Sequence, residues 1–261
     1  MEFSKNNHID IQQELDGYPL VNHGIKLTGG FKSSLIVYLI AKEIHENNAK
    51  GTITPLCTVV QGMSYQRIKA EEVIRWISKQ FPSVEFKTMI SNTQTNNYDV
   101  ELELWTNNKN DINKVNDLSK LGFFPKGNEG KPEGFQHRLI DSVWSGDSAR
   151  VSKEVEASFL LDDDEYHLTH RGFEEQEVQD YRAFTPFINL NSKDILDLYK
   201  EHDIQDSLLP LTYNCSTFKD SFDEPCGRCP ECQERMWANN IVNPPAPNDT
   251  LEQALRDYPI G

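Results

Sequence analysis

Hydrophobic positions along this chain change their period several times, and each change marks an element. Gly24 to Thr28 reads as a short strand stopped by Gly29-Gly30. Beyond it, SSLIVYLIAKEIHENN sets Leu35, Val37, Tyr38, Leu39, Ala41 and Ile44 at helical spacing, with Ser33 or Ser34 as the cap. Thr52 to Val60 is a β-branched apolar run suited to a strand buried on both faces, in which Cys57 reads as a small core residue. An amphipathic helix is predicted over Ser64 to Gln80, from Ile68, Val73, Ile74, Trp76 and Ile77, and a third strand over Val84 to Ile90. Such alternation predicts a parallel α/β sheet.

Elsewhere the pattern is weaker. Ile11 to Leu15 reads as a short helix, Asp99 to Trp105 alternates like a strand, and Asp111 to Leu121 looks helical. Gly122 to Gly134 is a breaker-rich loop, and Ser148 to Leu161 carries a helix or a strand. In FTPFINLNSKDILDLYKEHDI, Asn191 or Ser192 caps a helix whose apolar side is Ile195, Leu196, Leu198 and Tyr199. Gln233 to Asn240 is a further helix, and NPPAPND is an extended linker before a last one, Leu251 to Tyr258. The run LDDDE at 161–165 offers Asp162, Asp163 and Asp164 to a cation, although such runs are usually solvated loop. His167 and His170 are three apart and, without further ligands, read as ordinary surface.

Composition narrows the partners. The chain has 261 residues, enough for a real core, and 41 acidic against 26 basic side chains give a net charge of −15. No basic stripe is available for phosphate neutralisation, so nucleic acid is not an expected partner. The N-terminal stretch has neither a signal-peptide nor a transit-peptide pattern, and no apolar run reaches membrane-spanning length. A soluble, cytoplasmic, reducing setting is expected, with no membrane partner.

Four of the five cysteines cluster as Cys215, ten residues, Cys226, two, Cys229, two, Cys232, with Gly227 inside the tight turn. Thiolates at this spacing read first as a structural zinc site, since four of them fill a tetrahedral shell. An iron–sulfur cluster and disulfides are the rivals. The bacterial cluster motif continues with a fourth cysteine and a proline, whereas Cys232 is followed by Gln233, Glu234 and Arg235.

Between the first strand and helix, Thr28-Gly29-Gly30-Phe31-Lys32-Ser33-Ser34 is placed to receive an anion. Glycines let a phosphate approach the backbone, helix amides and the dipole attract it, and the hydroxyls of Thr28, Ser33 and Ser34 can add hydrogen bonds. A bare turn is the alternative. Lys32-Ser33 echoes the end of a Walker A motif, but the glycine spacing from Gly24 fails by two residues.

Taken together, Thr28 to Ser33, Pro186 to Ile195, and Asn214-Cys215 with Cys226-Gly227-Arg228-Cys229-Pro230-Glu231-Cys232 and Arg235 resemble the 7-cyano-7-deazaguanine synthase family of the PP-loop (adenine nucleotide α-hydrolase-like) superfamily. The resemblance implies a Rossmann-like parallel sheet flanked by helices over residues 1–210 and a zinc-binding lobe with tail over 211–261. ATP would lie on Thr28 to Ser34, magnesium would assist, and zinc would sit on Cys215, Cys226, Cys229 and Cys232. A deazapurine carboxylate would be adenylated, captured by ammonia and dehydrated to a nitrile. Arg228 and Arg235 are candidates for substrate or phosphate contact, against pairing with Glu231 and Glu234. A second copy of the chain is a candidate partner. One departure stands out: the family loop usually carries an aspartate where this chain has Lys32. That exchange raises an alternative, a catalytically reduced relative that binds a nucleotide or a partner protein.

Overall fold

The computed structural model describes residues 9, 11, 14–15, 18–60, 65–94, 140–149, 183–215, 225, 227 and 229–239. The strand predicted over 99–105, the helix over 111–121, the loop at 122–134, the segment 150–161, the acidic run with Asp162, Asp163 and Asp164, His167, His170 and the elements after 240 lie outside those residues.

The fold is α/β, a parallel sheet with helices packed on it. In chain order the elements are β1 (Glu14–Leu15), β2 (Tyr18–Pro19), β3 (Asn22–Lys26), α1 (Phe31–Glu46), β4 (Thr52–Val60), α2 (Tyr65–Gln80), β5 (Glu85–Phe86), β6 (Ile90–Gln94), β7 (Ser142–Trp144) and β8 (Ala183–Phe184). Helix α3 (Ser192–Glu201), a 3-10 turn at Leu209–Leu211 and helix α4 (Pro230–Ala238) complete them. The main sheet runs β5-β4-β3-β7-β8, with β6 also on β4, and every described pairing in it is parallel. Because order reverses on either side of β3, the rim beyond β3 and β7 is the switch point at which doubly wound sheets hold ligands.

Burial explains why these segments pair. Ile53, Thr54, Pro55, Leu56 and Cys57 are all buried, as a strand covered on both faces requires. On one face Ile25, Ile53, Cys57, Trp144 and Phe184 meet Leu35, Ile36, Ile40, Val73, Ile77, Ile195 and Tyr199 of α1, α2 and α3 in one core. Trp144 and Phe184 stack with centroids 4.5 Å apart. Asp141 fastens the start of β3 to β7: its Oδ2 accepts from the Asn22 amide at 2.9 Å and from Asn22 Nδ2 at 2.8 Å.

Several expectations are corrected. The helix at Ile11 to Leu15 is replaced at its end by β1, which pairs antiparallel with β2; in the sequence Asp-Gly between them is a hairpin signal that outweighs the short apolar period. The third strand, predicted as one run, is two short pieces. Thr52 N–H donates to the Val21 carbonyl and Leu27 N–H to the Leu56 carbonyl, so even-numbered residues of β4 bond towards β3. Pro55 therefore faces the other side, where it has no N–H to give, and the neighbouring strand is interrupted between Phe86 and Ile90. Helix α1 starts at Phe31, before its expected cap; Ser33 and Ser34 lie within it, and their hydroxyls donate back to the Gly30 carbonyl at 3.2 and 2.7 Å. Helix α3 does have a capping box, made by Asn191 and Asp194. Helix α4 begins three residues early because Pro230 takes its first position. Among the described residues no helix is long and apolar enough to cross a membrane.

His23 sits in the middle of the sheet, 1% exposed. Its Nδ1 lies 2.9 Å from Ser142 Oγ, Trp144 Nε1 donates to that hydroxyl at 3.0 Å, and Nε2 has no partner among the described residues. Burial lowers its pKa to about 4. Below about pH 6.5 the unfolded imidazole takes a proton that the folded one refuses, so stability falls as pH drops from about 6.5 towards 4. A shift of that size corresponds to about 3 kcal/mol. Urea titrations at pH 7.5 and pH 4 should show His23→Leu less pH-dependent by about that amount; equal dependence in the two proteins would refute the assignment.

Candidate functional site at the sheet rim

The site is assembled where the turns after β3 and β7 meet. Gly29 has φ +78°, and a Cβ on it would fall 2.5 Å from Lys69 Cβ on α2, so only glycine fits that turn. After β7, Gly146 presses on α1: a Cβ there would lie 2.9 Å from the Ser33 nitrogen. Close contact of backbone with backbone is what brings the two turns together at the switch point.

Of the predicted loop residues, Thr28 is exposed, while Gly29, Gly30, Phe31, Ser33 and Ser34 are buried and Lys32 is partly covered. The Ser33 and Ser34 hydroxyls are turned onto the Gly30 carbonyl, so neither is directed outward as the sequence pattern anticipates. Phe31 N–H donates to Asn214 Oδ1 at 2.9 Å, and Tyr213 N–H donates to the Gly29 carbonyl at 2.9 Å. A side chain 183 positions away thus caps α1. The Lys32 and Ser33 amides, next in the first turn, donate to no protein acceptor among the described residues.

Lys32 donates to Ser148 Oγ at 2.8 Å and to Glu234 Oε1 at 3.0 Å. Its side chain is 16% exposed and that of Glu234 only 5%, and the Ser192 hydroxyl donates to the same carboxylate oxygen. A cation in the first turn of α1 opposes the helix dipole, and Glu234 offsets it. Lys26, at the end of β3, is half-buried; burial holds its ammonium below the usual lysine range, with Asp147 acting in the opposite direction.

The cysteine stretch lies against this rim. Cys215, Cys229 and Cys232 are each 2% exposed, unbridged, and their sulfurs lie within 4.8 Å of one another. Cys226 and Arg228 fall outside the described residues. Cys229 caps α4 and Cys232 is in its first turn, so the two share a face and the positive helix end favours their thiolates. Gly227, at φ +70°, makes the turn, and its carbonyl accepts from Gln233 Nε2. Tyr65 and Tyr213 pack edge to face on one another in the buried cluster that holds the three cysteines, and the Tyr65 hydroxyl donates to the Cys215 carbonyl. Three buried thiols so placed can hold a metal ion. Two 2.3 Å zinc–sulfur bonds at a tetrahedral angle put sulfurs about 3.8 Å apart, which falls inside the 4.8 Å that encloses the three sulfurs.

Arg235 is buried and donates to the carbonyls of Thr212 at 2.9 Å and Leu209 at 3.1 Å. Its guanidinium serves backbone, and pairs with neither Glu231 nor Glu234. Cys57 is buried, and its thiol is pushed up to about 11, so it is a core residue with no nucleophilic character. Sequence reasoning missed Asn214, Ser148 and Lys26. The motif places Asn214 beside Cys215 but assigns it no role of its own, and Lys26 is a charge in a buried strand; Ser148 carried no signal.

No protein-family model matches the chain, and no characterised protein matches it in sequence. Among solved structures, one that matches is the U34-tRNA thiolase NcsA from Methanococcus maripaludis with its 4Fe-4S cluster, at 12% identity and a TM-score of 0.36, covering 92% of this chain and 68% of that one.

Two outcomes follow from the geometry. Gly29→Ala should destabilise by at least about 1–3 kcal/mol, read as a lower urea midpoint, because a left-handed φ and a clash with α2 act together. Zinc should bind at one ion per chain, and Cys229→Ser or chelation should lower Tm by roughly 10 °C, since metal at such sites stabilises the folded state. A Tm indifferent to chelation would count against the site.

Proposed function

We propose that this protein is an ATP-dependent, adenylate-forming synthase resembling 7-cyano-7-deazaguanine synthase, which turns a deazapurine carboxylate into an amide and then a nitrile. The observation that supports it most is the pair of first-turn amides, Lys32 and Ser33, which have no protein acceptor among the described residues and stand at the rim of a parallel sheet. In this reading they receive phosphate oxygens of ATP, and Gly29 and Gly30 keep the approach open. The substrate carboxylate attacks the α-phosphorus and releases pyrophosphate. Ammonia then displaces AMP to leave the amide, and a second adenylation and loss of AMP yield the nitrile. Magnesium supplies charge neutralisation between the phosphates. Cys215, Cys226, Cys229 and Cys232 would hold zinc, which supplies a cross-link and takes no part in bond making. The chain's residues orient the adenylate and keep water from it.

A second reading, a nucleotide- or partner-binding module without catalysis, is favoured by the Lys32–Glu234 pair, which stands where the resembled family has an aspartate. Incubation with ATP, magnesium, 7-carboxy-7-deazaguanine and ammonium separates the two. The synthase should release two AMP and two pyrophosphate per nitrile, followed by mass spectrometry. ATP binding without AMP release would favour the module; no ATP affinity in calorimetry would sink the synthase and the nucleotide form of the module together.

A further inference from the structure

The glycine loop is held from the cysteine stretch. Asn214, which takes the Phe31 amide, adjoins Cys215, and Glu234, which takes Lys32 Nζ, lies two residues beyond Cys232 on α4. Arg235, the next residue on α4, draws in the carbonyls of Leu209 and Thr212, the segment that leads into Tyr213 and Asn214. Each strut thus ends within a few residues of a sulfur. Helix α4 has only nine residues and could not stand alone, and its N-terminal end contributes two of the clustered thiols, Cys229 and Cys232, while Cys215 comes from the irregular segment that carries Asn214. An ion bound by these sulfurs would fix α4 against that segment, and with it both acceptors. Without Glu234, Lys32 would be a largely covered cation opposed by its own helix dipole, so the loop's geometry depends on where α4 sits.

We propose that Asn214 and Glu234 are positioning residues through which a metal ion at Cys215, Cys229 and Cys232 sets the glycine loop, so that metal and a phosphate-bearing ligand bind cooperatively. The positioning half stands on the contacts above; the cooperative half rests on the reading of the loop as a phosphate site.

Hydrogen exchange on the full chain, zinc-loaded and after chelation, tests the first half. Chelation should speed exchange of the 30–34 and 213–214 amides at least tenfold more than exchange of the β3 and β4 amides, which follow only the overall loss of stability. With zinc bound at unchanged stoichiometry, Glu234→Gln should speed exchange in the loop, and in Glu234→Gln/Asn214→Ala chelation should no longer alter it. Unchanged loop exchange after chelation would overturn the proposal, as would equal loss of protection throughout the sheet, since the metal would then hold the whole fold. For the second half, ATP with magnesium should bind about 5–150-fold more weakly after chelation, and zinc should be released more readily by the same factor without ATP. Equal ATP affinity in both states overturns cooperativity and leaves the function proposed above standing. No ATP binding in either state overturns that function and the cooperativity with it, while loop exchange still decides the positioning.

Discussion

Strand β3 is hydrogen-bonded in parallel to β4 on one side and β7 on the other, and this double pairing decides where everything else can go. Parallel strands need crossovers, so their carboxyl ends share one rim and the turns that leave them must meet there. Gly146 lets the turn after β7 press on the start of α1, and Gly29 lets the turn after β3 lie against α2. Asp141 fixes the opposite end, accepting from Val21 and Asn22, so the register of β3 against β7 cannot slip without stranding a buried carboxylate.

At the rim, polar groups are satisfied unequally. The first amide of α1 is capped by Asn214 and its two hydroxyls are folded onto Gly30, while the next amides have no protein acceptor among the described residues. Lys32 is drawn sideways to Ser148 and Glu234. The dipole end of α1 therefore presents backbone N–H groups that an anion could meet, and the cation in its first turn, Lys32, is already paired. A ligand that binds there is met by oriented N–H groups, with Lys32 contributing to the shape of the loop.

Much of the fold could be read in the chain because its signals are local. The β-branched run of β4 and the apolar faces of α1 and α3 follow from burial alone, and Asn191 is read as a cap from its neighbours. The features that escaped depend on partners far away. Ser33 and Ser34 look like caps until a distant asparagine takes that role, and Pro55 matters only once its bonding side is known. Glycine and cysteine spacing marked the candidate site, but Glu234 acquires a role only because α4 packs on α3, which brings it to Lys32. Arg235 shows the reverse: a charge that suggests ligand contact spends its hydrogen bonds on carbonyls.

The cap on α1 also orders events in time. Asn214 lies 183 residues, and Glu234 202, beyond the positions they hold. During synthesis β3, α1 and β4 emerge together and can pair at once, since their contacts are close in sequence. The rim cannot be finished until the chain has been made through α4, nearly two hundred residues later. A nascent chain therefore carries a formed sheet with an uncapped helix end, and this rim is among the last parts of the molecule to acquire its shape.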